Sequence, residues 1–425
     1  MHVALFTDLH PASFGGAQIS VAAQRRALEQ LGHRVTVFTA PLSAIPDPDP
    51  GVVELKPVPV IAALARTLGR YNDFVFVWPS RSNSALIDQA FRMREPIDVV
   101  HTQGDLGVAV AGMEAARRHG IPVVQTKHSR YDAYFEQATP VPRFLALVVG
   151  RMQKPRFASK FSLPKVKESA AARMAWQFMV AHAQAVDHVI TPTRHFARLL
   201  VDRGVNRPIT AISNGIDDDL VDRVTAAVIL GPPDNDPLRL IWCGRLSSEK
   251  RVLAAIDAVA QVDHCTLDIY GEGQLGASLR KKVASEGLSQ KIRLRGPVDH
   301  EDCLRAMRSS GALLFTSYGF DTQGLVLLEA AAMSLPMIYC DPDLNETVPE
   351  GGGLLAADPS PAAIAAAIRS VIGDRNKLAQ MRHAVTTHRD IQRQSRQTEK
   401  ILAIYRSLVK EVPRTQRAAT TAHRW

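Results

Sequence analysis

The sequence lacks the features of a disulfide-stabilised, zinc-binding or membrane-spanning protein. It has only four cysteines, and no two of them lie within five residues of each other, so the paired spacing of a zinc site is missing. No uncharged apolar run approaches the roughly 20 residues of a membrane span. The first residues carry no basic segment ahead of a long apolar core, which predicts that there is no signal peptide and that the protein is cytoplasmic with reduced thiols.

Aromatic residues are also scarce, at 6%, and they are not interleaved with basic residues as in nucleic-acid-binding motifs. The composition is otherwise typical of a globular protein, with 46% hydrophobic and 22% charged residues. A length of 425 residues predicts two domains rather than one. The net charge of +9 is concentrated locally, because 143–173 holds eight Lys or Arg against one acid and 389–425 holds nine against three.

Short apolar runs alternate with segments of helical periodicity along the chain. Strands are predicted at Val3–Thr7, Arg34–Thr39, Asp98–His101, Pro122–Thr126 and Val189–Thr191, and again at Leu238–Cys243, Thr266–Tyr270, Ile292–Leu294, Ala312–Thr316 and Met337–Tyr339. The pattern predicts two Rossmann-like, doubly wound α/β domains that face each other across a cleft. We place the first domain at 1–210 and the second at 211–391, with a helix in 392–425 that packs back on the first.

Two cations follow a strand end in the second half. Arg245 and Lys250 lie in Cys243-Gly244-Arg245-Leu246-Ser247-Ser248-Glu249-Lys250. Ligands of open α/β sheets bind at the carboxyl ends of strands, and a guanidinium with an ammonium can bind two phosphates. The alternative is a solvated basic turn.

A second anion-binding element follows Asp321. The backbone amides of Gly324, Leu325 and Val326 are predicted to open a helix, where they would favour a negative charge. Glu329 lies inside the apolar run of that helix and could accept hydrogen bonds from two ribose hydroxyls.

The first half offers a glycine loop and a histidine. Gly15 and Gly16 follow the first strand and would let backbone amides approach phosphate or sugar oxygens, although the spacing of a nicotinamide fingerprint is absent. His128 follows the strand that ends at Thr126, and Asp132 is near enough in sequence to orient it. A plain turn and a structural histidine are the alternatives.

Together these motifs resemble the family 4 glycosyltransferases of the GT-B fold. The resemblance is strongest from Ile241 to Leu355, where Gly-Arg-Leu-x-x-Glu-Lys, Tyr-Gly-Glu-Gly and Arg-Gly-Pro-Val precede the acid pair of Asp321 and Glu329. The first half is also similar to the diacylglycerol glucosyltransferase branch, through His101-Thr102-Gln103 and Thr126-Lys127-His128-Ser129-Arg130-Tyr131. Lys127 and Arg130 replace the usual Tyr and Met of that branch.

The resemblance implies a role for each matching residue. The implied donor-binding residues are Gly15, Gly16, Arg245, Lys250, Gly296, Pro297, Val298, Gly324, Leu325, Val326 and Glu329. Among them Arg245 and Lys250 would bind the diphosphate, the segment from Gly296 to Val298 would border the base, and Glu329 would bind ribose. The implied catalytic residues are His128 and Asp321, which takes the place of the family's usual Glu facing the donor sugar.

The resemblance further implies a retaining hexosyltransferase that uses a UDP- or GDP-linked sugar and needs neither a cofactor nor a metal. No Asp-x-Asp metal motif lies in a plausible loop, since 47–49 and 234–236 are typical of surface turns. A sugar-nucleotide epimerase of the same fold and a transferase with a soluble acceptor stay open as alternatives. A nucleic-acid binder is disfavoured by the scarcity of aromatic residues.

The basic stretch 143–173 suits an anionic bilayer surface. The residues expected to bind the membrane or the acceptor are Arg143, Arg151, Lys154, Arg156, Lys160, Lys165 and Lys167. The diacylglycerol branch is monotopic, so the resemblance implies a peripheral enzyme at the inner face of the cell membrane that makes a glycolipid or another lipid-linked glycan of the cell envelope. A solvated helix is the alternative, and the oligomeric state is left open.

Overall fold

The computed structural model describes residues 1–411 apart from 14, 43–44, 46, 60–75, 95, 139–160 and 227–236. The described residues divide into two compact units. The first lies in Met1–Phe135, Val141–Ser213 and Gln394–Trp425, and the second lies in Glu136–Pro140 and Asn214–Arg393. Each unit contains one sheet in which all strands are parallel, so the α/β class with two doubly wound, Rossmann-like units is confirmed.

The first unit is built on a seven-stranded sheet in the described residues, with strand order β3-β2-β1-β4-β5-β6-β7. Its strands are β1 (His2–Thr7), β2 (Arg34–Thr39), β3 (Val52–Glu54), β4 (Val99–Thr102), β5 (Val123–Thr126), β6 (His188–Thr191) and β7 (Ile209–Ala211). Its helices before residue 213 are α1 (Gly16–Gln30), α2 (Arg81–Met93), α3 (Gly107–His119), α4 (Tyr131–Ala133), α5 (Ala170–Gln184) and α6 (Arg194–Asp202).

The second unit has a six-stranded sheet in the described residues, with strand order β10-β9-β8-β11-β12-β13. Its strands are β8 (Leu238–Cys243), β9 (Cys265–Tyr270), β10 (Ile292–Gly296), β11 (Ala312–Phe315), β12 (Met337–Tyr339) and β13 (Gly353–Leu355). Its helices are α7 (Asp218–Ala226), α8 (Val252–Ala260), α9 (Gly276–Ser285), α10 (His300–Arg308), α11 (Leu325–Ala332), α12 (Pro361–Ile372) and α13 (Arg375–His388). The chain then returns to the first unit through α14 (Gln394–Glu411).

Strand β1 shows why both faces of the first sheet are buried. Its six residues are all buried, and successive side chains point to opposite faces. On one face Phe6 stacks on Phe38, with ring centroids 4.4 Å apart. On the other face Leu5 packs in a cluster that includes Leu28 of α1 and Tyr405 of α14. Helix α14 therefore forms part of the core of the first unit. Separately, none of the described helices is long and apolar enough to cross a bilayer.

Several boundaries differ from the sequence-based expectations. Strand β4 is Val99–Thr102 rather than Asp98–His101, and β10 extends to Gly296 rather than ending at Leu294. Helix α5 begins at Ala170, where the hydroxyl of Ser169 accepts a hydrogen bond from the Ala172 amide at 3.0 Å. This cap fixes the first turn of α5, so Lys165 and Lys167 of the basic stretch precede the helix.

Glycine loops after β8 and β9 lie in direct backbone contact. The Leu246 amide donates to the Glu272 carbonyl at 2.8 Å, and the Gly244 amide donates to the Tyr270 carbonyl at 3.1 Å. Gly271 has φ 127°, and a Cβ there would lie 2.0 Å from the Gly244 carbonyl oxygen. Only glycine fits this close approach.

We expect Gly271→Ala to lower the free energy of unfolding of the second unit by roughly 2–4 kcal/mol, because strain at φ and overpacking add. Chemical denaturation followed by circular dichroism measures this loss. The matched control is Gly287→Ala, which has φ 68° with no atom within 4 Å of the added Cβ and should cost about 1 kcal/mol. An equal decrease in the free energy of unfolding in the two variants would show that the backbone contact does not contribute to stability.

Candidate active site

The sequence-predicted residues of the second unit all follow the carboxyl ends of strands. Arg245 and Lys250 come after β8, Gly296 to Val298 end and follow β10, and Asp321 comes after β11. In the sheet these strands lie in the order β10-β9-β8-β11, so their carboxyl ends share one edge. This is the edge at which open α/β sheets bind ligands.

The loop after β8 presents its two cations differently. Arg245 is exposed, and within the part of the chain that the structure describes its guanidinium forms no ion pair. Lys250 ends a 3₁₀ turn at Ser248–Lys250 that is fixed to β11, because the hydroxyl of Thr316 donates to the Lys250 carbonyl at 3.1 Å. Thr316 in turn accepts from the indole N–H of Trp242 at 3.1 Å.

Lys250 and Asp321 form an ion pair. The Lys250 Nζ lies 2.5 Å from the Asp321 Oδ1, and the two side chains are 22% and 14% exposed. The same ammonium lies 5.2 Å from the ring centroid of Phe320, within reach of a cation–π contact. Two residues that the sequence predicted for donor binding and catalysis are thus brought together.

Helix α11 supplies the predicted anion-binding amides. Gly324 precedes its first residue with φ 72°, and Leu325 and Val326 form its first turn. The loop before it is held by Gln323, whose Oε1 accepts from the backbone amide of Asn214 at 3.1 Å and from its side chain at 2.8 Å. The positive end of the helix therefore points out at the same sheet edge as Lys250.

Glu329 lies buried on α11 and has a partner that the sequence did not reveal. Its Oε1 lies 2.7 Å from the Nε2 of His300, the first residue of α10. A carboxylate oxygen only accepts, so His300 donates from Nε2. His300 was missed because nothing local in sequence links it to Glu329, 29 residues away.

The first unit collects its candidates at the carboxyl ends of β1, β4 and β5, three neighbouring strands. Gly15 caps α1 and Gly16 begins it. His128 follows β5, and its Nε2 lies 2.7 Å from the Oε1 of Gln103, which follows β4. The expected partner, Asp132, instead accepts from Arg130 at 2.7 Å.

His128 is neutral at physiological pH. Burial lowers its pKa to about 4, although the nearby Asp105 carboxylate opposes the shift. The neutral imidazole has one N–H donor and one acceptor nitrogen, so it can hydrogen-bond a sugar hydroxyl without adding a charge.

The basic stretch lies largely outside the described residues. Arg143, Arg151, Lys154, Arg156 and Lys160 fall there, and so does the apolar run 144–149. Lys165 and Lys167 are described, and both are exposed on either side of Val166, which is 49% exposed. A search of the described residues finds no group of three or more His, Cys, Asp or Glu side chains placed to hold a metal ion.

Family models match both halves of the chain. The model described as Glycosyltransferase Family 4 matches residues 14–220, and that described as Glycosyl transferases group 1 matches residues 237–374. Curated relatives span most of the chain at low identity. An alpha-monoglucosyldiacylglycerol synthase of Streptococcus pneumoniae is 23% identical over 82% of this chain and 73% of its own length.

Two further relatives differ in their acceptors. A 2-deoxystreptamine glucosyltransferase of Streptomyces kanamyceticus is 24% identical over 84% of this chain and 89% of its own. A GDP-mannose-dependent alpha-(1-6)-phosphatidylinositol dimannoside mannosyltransferase of Mycobacterium tuberculosis is 29% identical over 60% of each chain.

Solved structures share the fold. A sucrose-phosphate synthase from Thermosynechococcus elongatus superposes with a TM-score of 0.69 at 18% identity, over 97% of this chain and 100% of that one. The pneumococcal O-GlcNAc transferase, in complex with UDP and GlcNAc, gives a TM-score of 0.64 at 13% identity, over 96% and 99% of the two chains. The chain carries a glycosyltransferase family 4 domain followed by a group 1 domain and belongs to the nucleotide-sugar-dependent GT-B glycosyltransferases.

Proposed function

We propose that the protein is a retaining hexosyltransferase that moves a sugar from a UDP- or GDP-sugar to a membrane lipid or lipid-linked glycan at the cytoplasmic face. The proposal of a nucleotide-sugar donor rests on one observation, that several anion-binding groups lie at the same sheet edge. Exposed Arg245, Lys250 and the first amides of α11 all follow strand ends there. Together they match the charge of a diphosphate.

The diphosphate is also the leaving group of the proposed reaction. The bond between the anomeric carbon and the phosphate oxygen breaks, the acceptor oxygen bonds to that carbon on the same face, and the acceptor hydroxyl passes its proton to the departing diphosphate. Negative charge grows on the departing diphosphate. Arg245, Lys250 and the α11 amides would stabilise this charge in the transition state without a metal ion.

Three other residues have proposed roles toward the donor. Glu329 would accept hydrogen bonds from the ribose, with His300 keeping its carboxylate oriented. Asp321 would face the transferred sugar while it also serves as the counter-ion of Lys250. His128 would hydrogen-bond the transferred sugar as a neutral imidazole, in keeping with its lowered pKa of about 4.

Two observations support a lipid acceptor. Relatives from Streptococcus pneumoniae and Mycobacterium tuberculosis are a diacylglycerol and a phosphatidylinositol glycosyltransferase by name. Exposed Lys165, Val166 and Lys167 form a basic and apolar surface of the kind that binds anionic bilayers. A soluble acceptor is the second candidate, because the 2-deoxystreptamine glucosyltransferase matches over a larger share of both chains.

Arg245→Ala should weaken donor binding by roughly 1.5–3 kcal/mol, because it removes a charge-assisted phosphate contact. Isothermal titration with a panel of UDP- and GDP-sugars measures the corresponding ~10- to 150-fold rise in Kd. Arg280→Ala, which removes an exposed cation of α9 in the same unit, is the matched control and should bind donor normally. Unchanged donor affinity in Arg245→Ala would contradict the assignment of this loop.

Under the proposed retaining mechanism the product should keep the anomeric configuration of the donor sugar, because the acceptor oxygen bonds to the anomeric carbon on the face from which the diphosphate leaves. Proton NMR of the glycoside product gives the anomeric coupling directly. Turnover should persist in EDTA. Inverted product, or activity that disappears in EDTA and returns with magnesium, would overturn the proposed mechanism.

Membrane attachment should depend on charge. Lys165→Glu combined with Lys167→Glu should reduce flotation with anionic liposomes at low salt, since each basic residue near the surface contributes about 1 kcal/mol. The matched control reverses Arg280 and Lys281, exposed cations of the second unit. If the wild type stays with the soluble fraction on anionic vesicles, the soluble acceptor becomes the better candidate.

A further inference from the structure

A continuous hydrogen-bond chain in the first unit connects α14 with His128. From His128 the contacts run through Gln103 and Gln24 to Tyr405, and then through His101 to Thr126. In the first part of the chain, His128 Nε2 lies 2.7 Å from Gln103 Oε1, and Gln103 Nε2 lies 2.7 Å from Gln24 Oε1. Gln24 Nε2 then lies 3.2 Å from the Tyr405 hydroxyl, which is 2.5 Å from His101 Nδ1. Finally, His101 Nε2 lies 2.7 Å from Thr126 Oγ1.

The chain has a direction. Both glutamine amides, as they are oriented, accept with Oε1 and donate with Nε2. Gln103 Oε1 therefore requires a proton on Nε2 of His128. At the other end the Tyr405 hydroxyl and the Gln24 amide both donate to Nδ1 of His101, so His101 carries its proton on Nε2 and donates it to Thr126.

Because the chain is buried, the loss of any of its hydrogen bonds is destabilising. His101 and Tyr405 are fully buried, and Gln103 and Gln24 are 4% and 5% exposed. A buried donor or acceptor that loses its partner keeps the desolvation cost without the bond. Burial also lowers the pKa of His101 to about 3, so the ring stays neutral, as the chain requires. His128 is half-buried and lies at the opposite end of the chain from Thr126.

We propose that Gln103, Gln24 and Tyr405 are positioning residues that fix the ring orientation and the Nε2–H tautomer of His128. Nδ1 is then the ring nitrogen of His128 that accepts hydrogen bonds. Helix α14, which packs on the first unit only after the whole second unit has been made, supplies the far end of the chain. The orientation and tautomer of His128 therefore depend on the packing of α14 against the first unit.

This inference rests on the proposed role of His128 in the transfer step, but its direct test needs no turnover. The full chain is labelled with ¹⁵N-histidine, and the His128 signals are identified by their loss in His128→Asn. Wild-type protein should show the chemical shifts of a single neutral tautomer with the proton on Nε2. A proton on Nδ1 would mean that the chain runs in the opposite direction and would overturn the proposal.

Two variants interrupt the chain at different points. Tyr405→Phe removes one hydroxyl and keeps the ring, and Gln103→Met removes the contact with His128 itself. Both should convert the His128 signals to those of a tautomer mixture. Both should also lower kcat about tenfold with the donor KM within about twofold, because the ring is no longer held in its reactive orientation. Signals like those of the wild type in both variants would overturn the proposal.

Tyr339→Phe is the matched control for the loss of a buried hydroxyl. Tyr339 lies in the second unit, is 7% exposed and donates to Asn345 at 2.8 Å. It should leave the His128 signals and kcat unchanged, and a tenfold fall in kcat there would show that lost stability explains the other variants. His128→Ala tests the role of His128 in the transfer step separately from the positioning of its ring. Full turnover in that variant removes His128 from the transfer step, whereas the tautomer measurement decides the positioning chain by itself.

Discussion

The carboxyl edge of the first sheet depends on one buried ion pair, between Lys127 after β5 and Asp105 after β4. Lys127 is 0% and Asp105 1% exposed. The ammonium also donates to the Met179 carbonyl of α5 at 2.9 Å, and His182 of the same helix donates from Nδ1 to the carboxylate at 3.2 Å. Removing one partner of such a pair leaves an uncompensated buried charge, at a cost of about 3–5 kcal/mol.

The pair explains where the candidate side chains of this unit lie. Gln103 comes two residues before Asp105, and His128 comes directly after Lys127, so the pair ties together the two loops whose side chains meet. Burial alone would raise the pKa of Asp105, but the Lys127 ammonium and His182 together outweigh burial, and the pKa falls. The carboxylate is therefore ionised and holds both loops. Lys127, which stands where the resemblance to the diacylglycerol branch implied a Tyr, is the residue that supplies this ammonium.

The sequence predicted the strand-end motifs well, and it did so for a physical reason. A parallel sheet brings the carboxyl ends of its strands to one edge, so Arg245, Lys250 and Asp321 could be grouped from their positions after apolar runs. Contacts that depend on strand order could not be predicted from the sequence. Gln24 and Tyr405 are 381 residues apart and meet only because α1 and α14 cover the same face of the first sheet. His300 and Glu329, on separate helices, could not be paired for the same reason.

Asp321 shows how one shorter side chain fits this arrangement. The family's usual Glu would extend one methylene further toward the sugar, whereas Asp321 reaches Lys250 Nζ at 2.5 Å. Under the proposed function the diphosphate and Asp321 compete for the same ammonium. The diphosphate carries the larger negative charge and also draws on Arg245 and the α11 amides, so it would attract the ammonium away from the carboxylate. Under this proposal Asp321 would lose its counter-ion when the diphosphate binds, so donor binding would free a carboxylate to contact the transferred sugar.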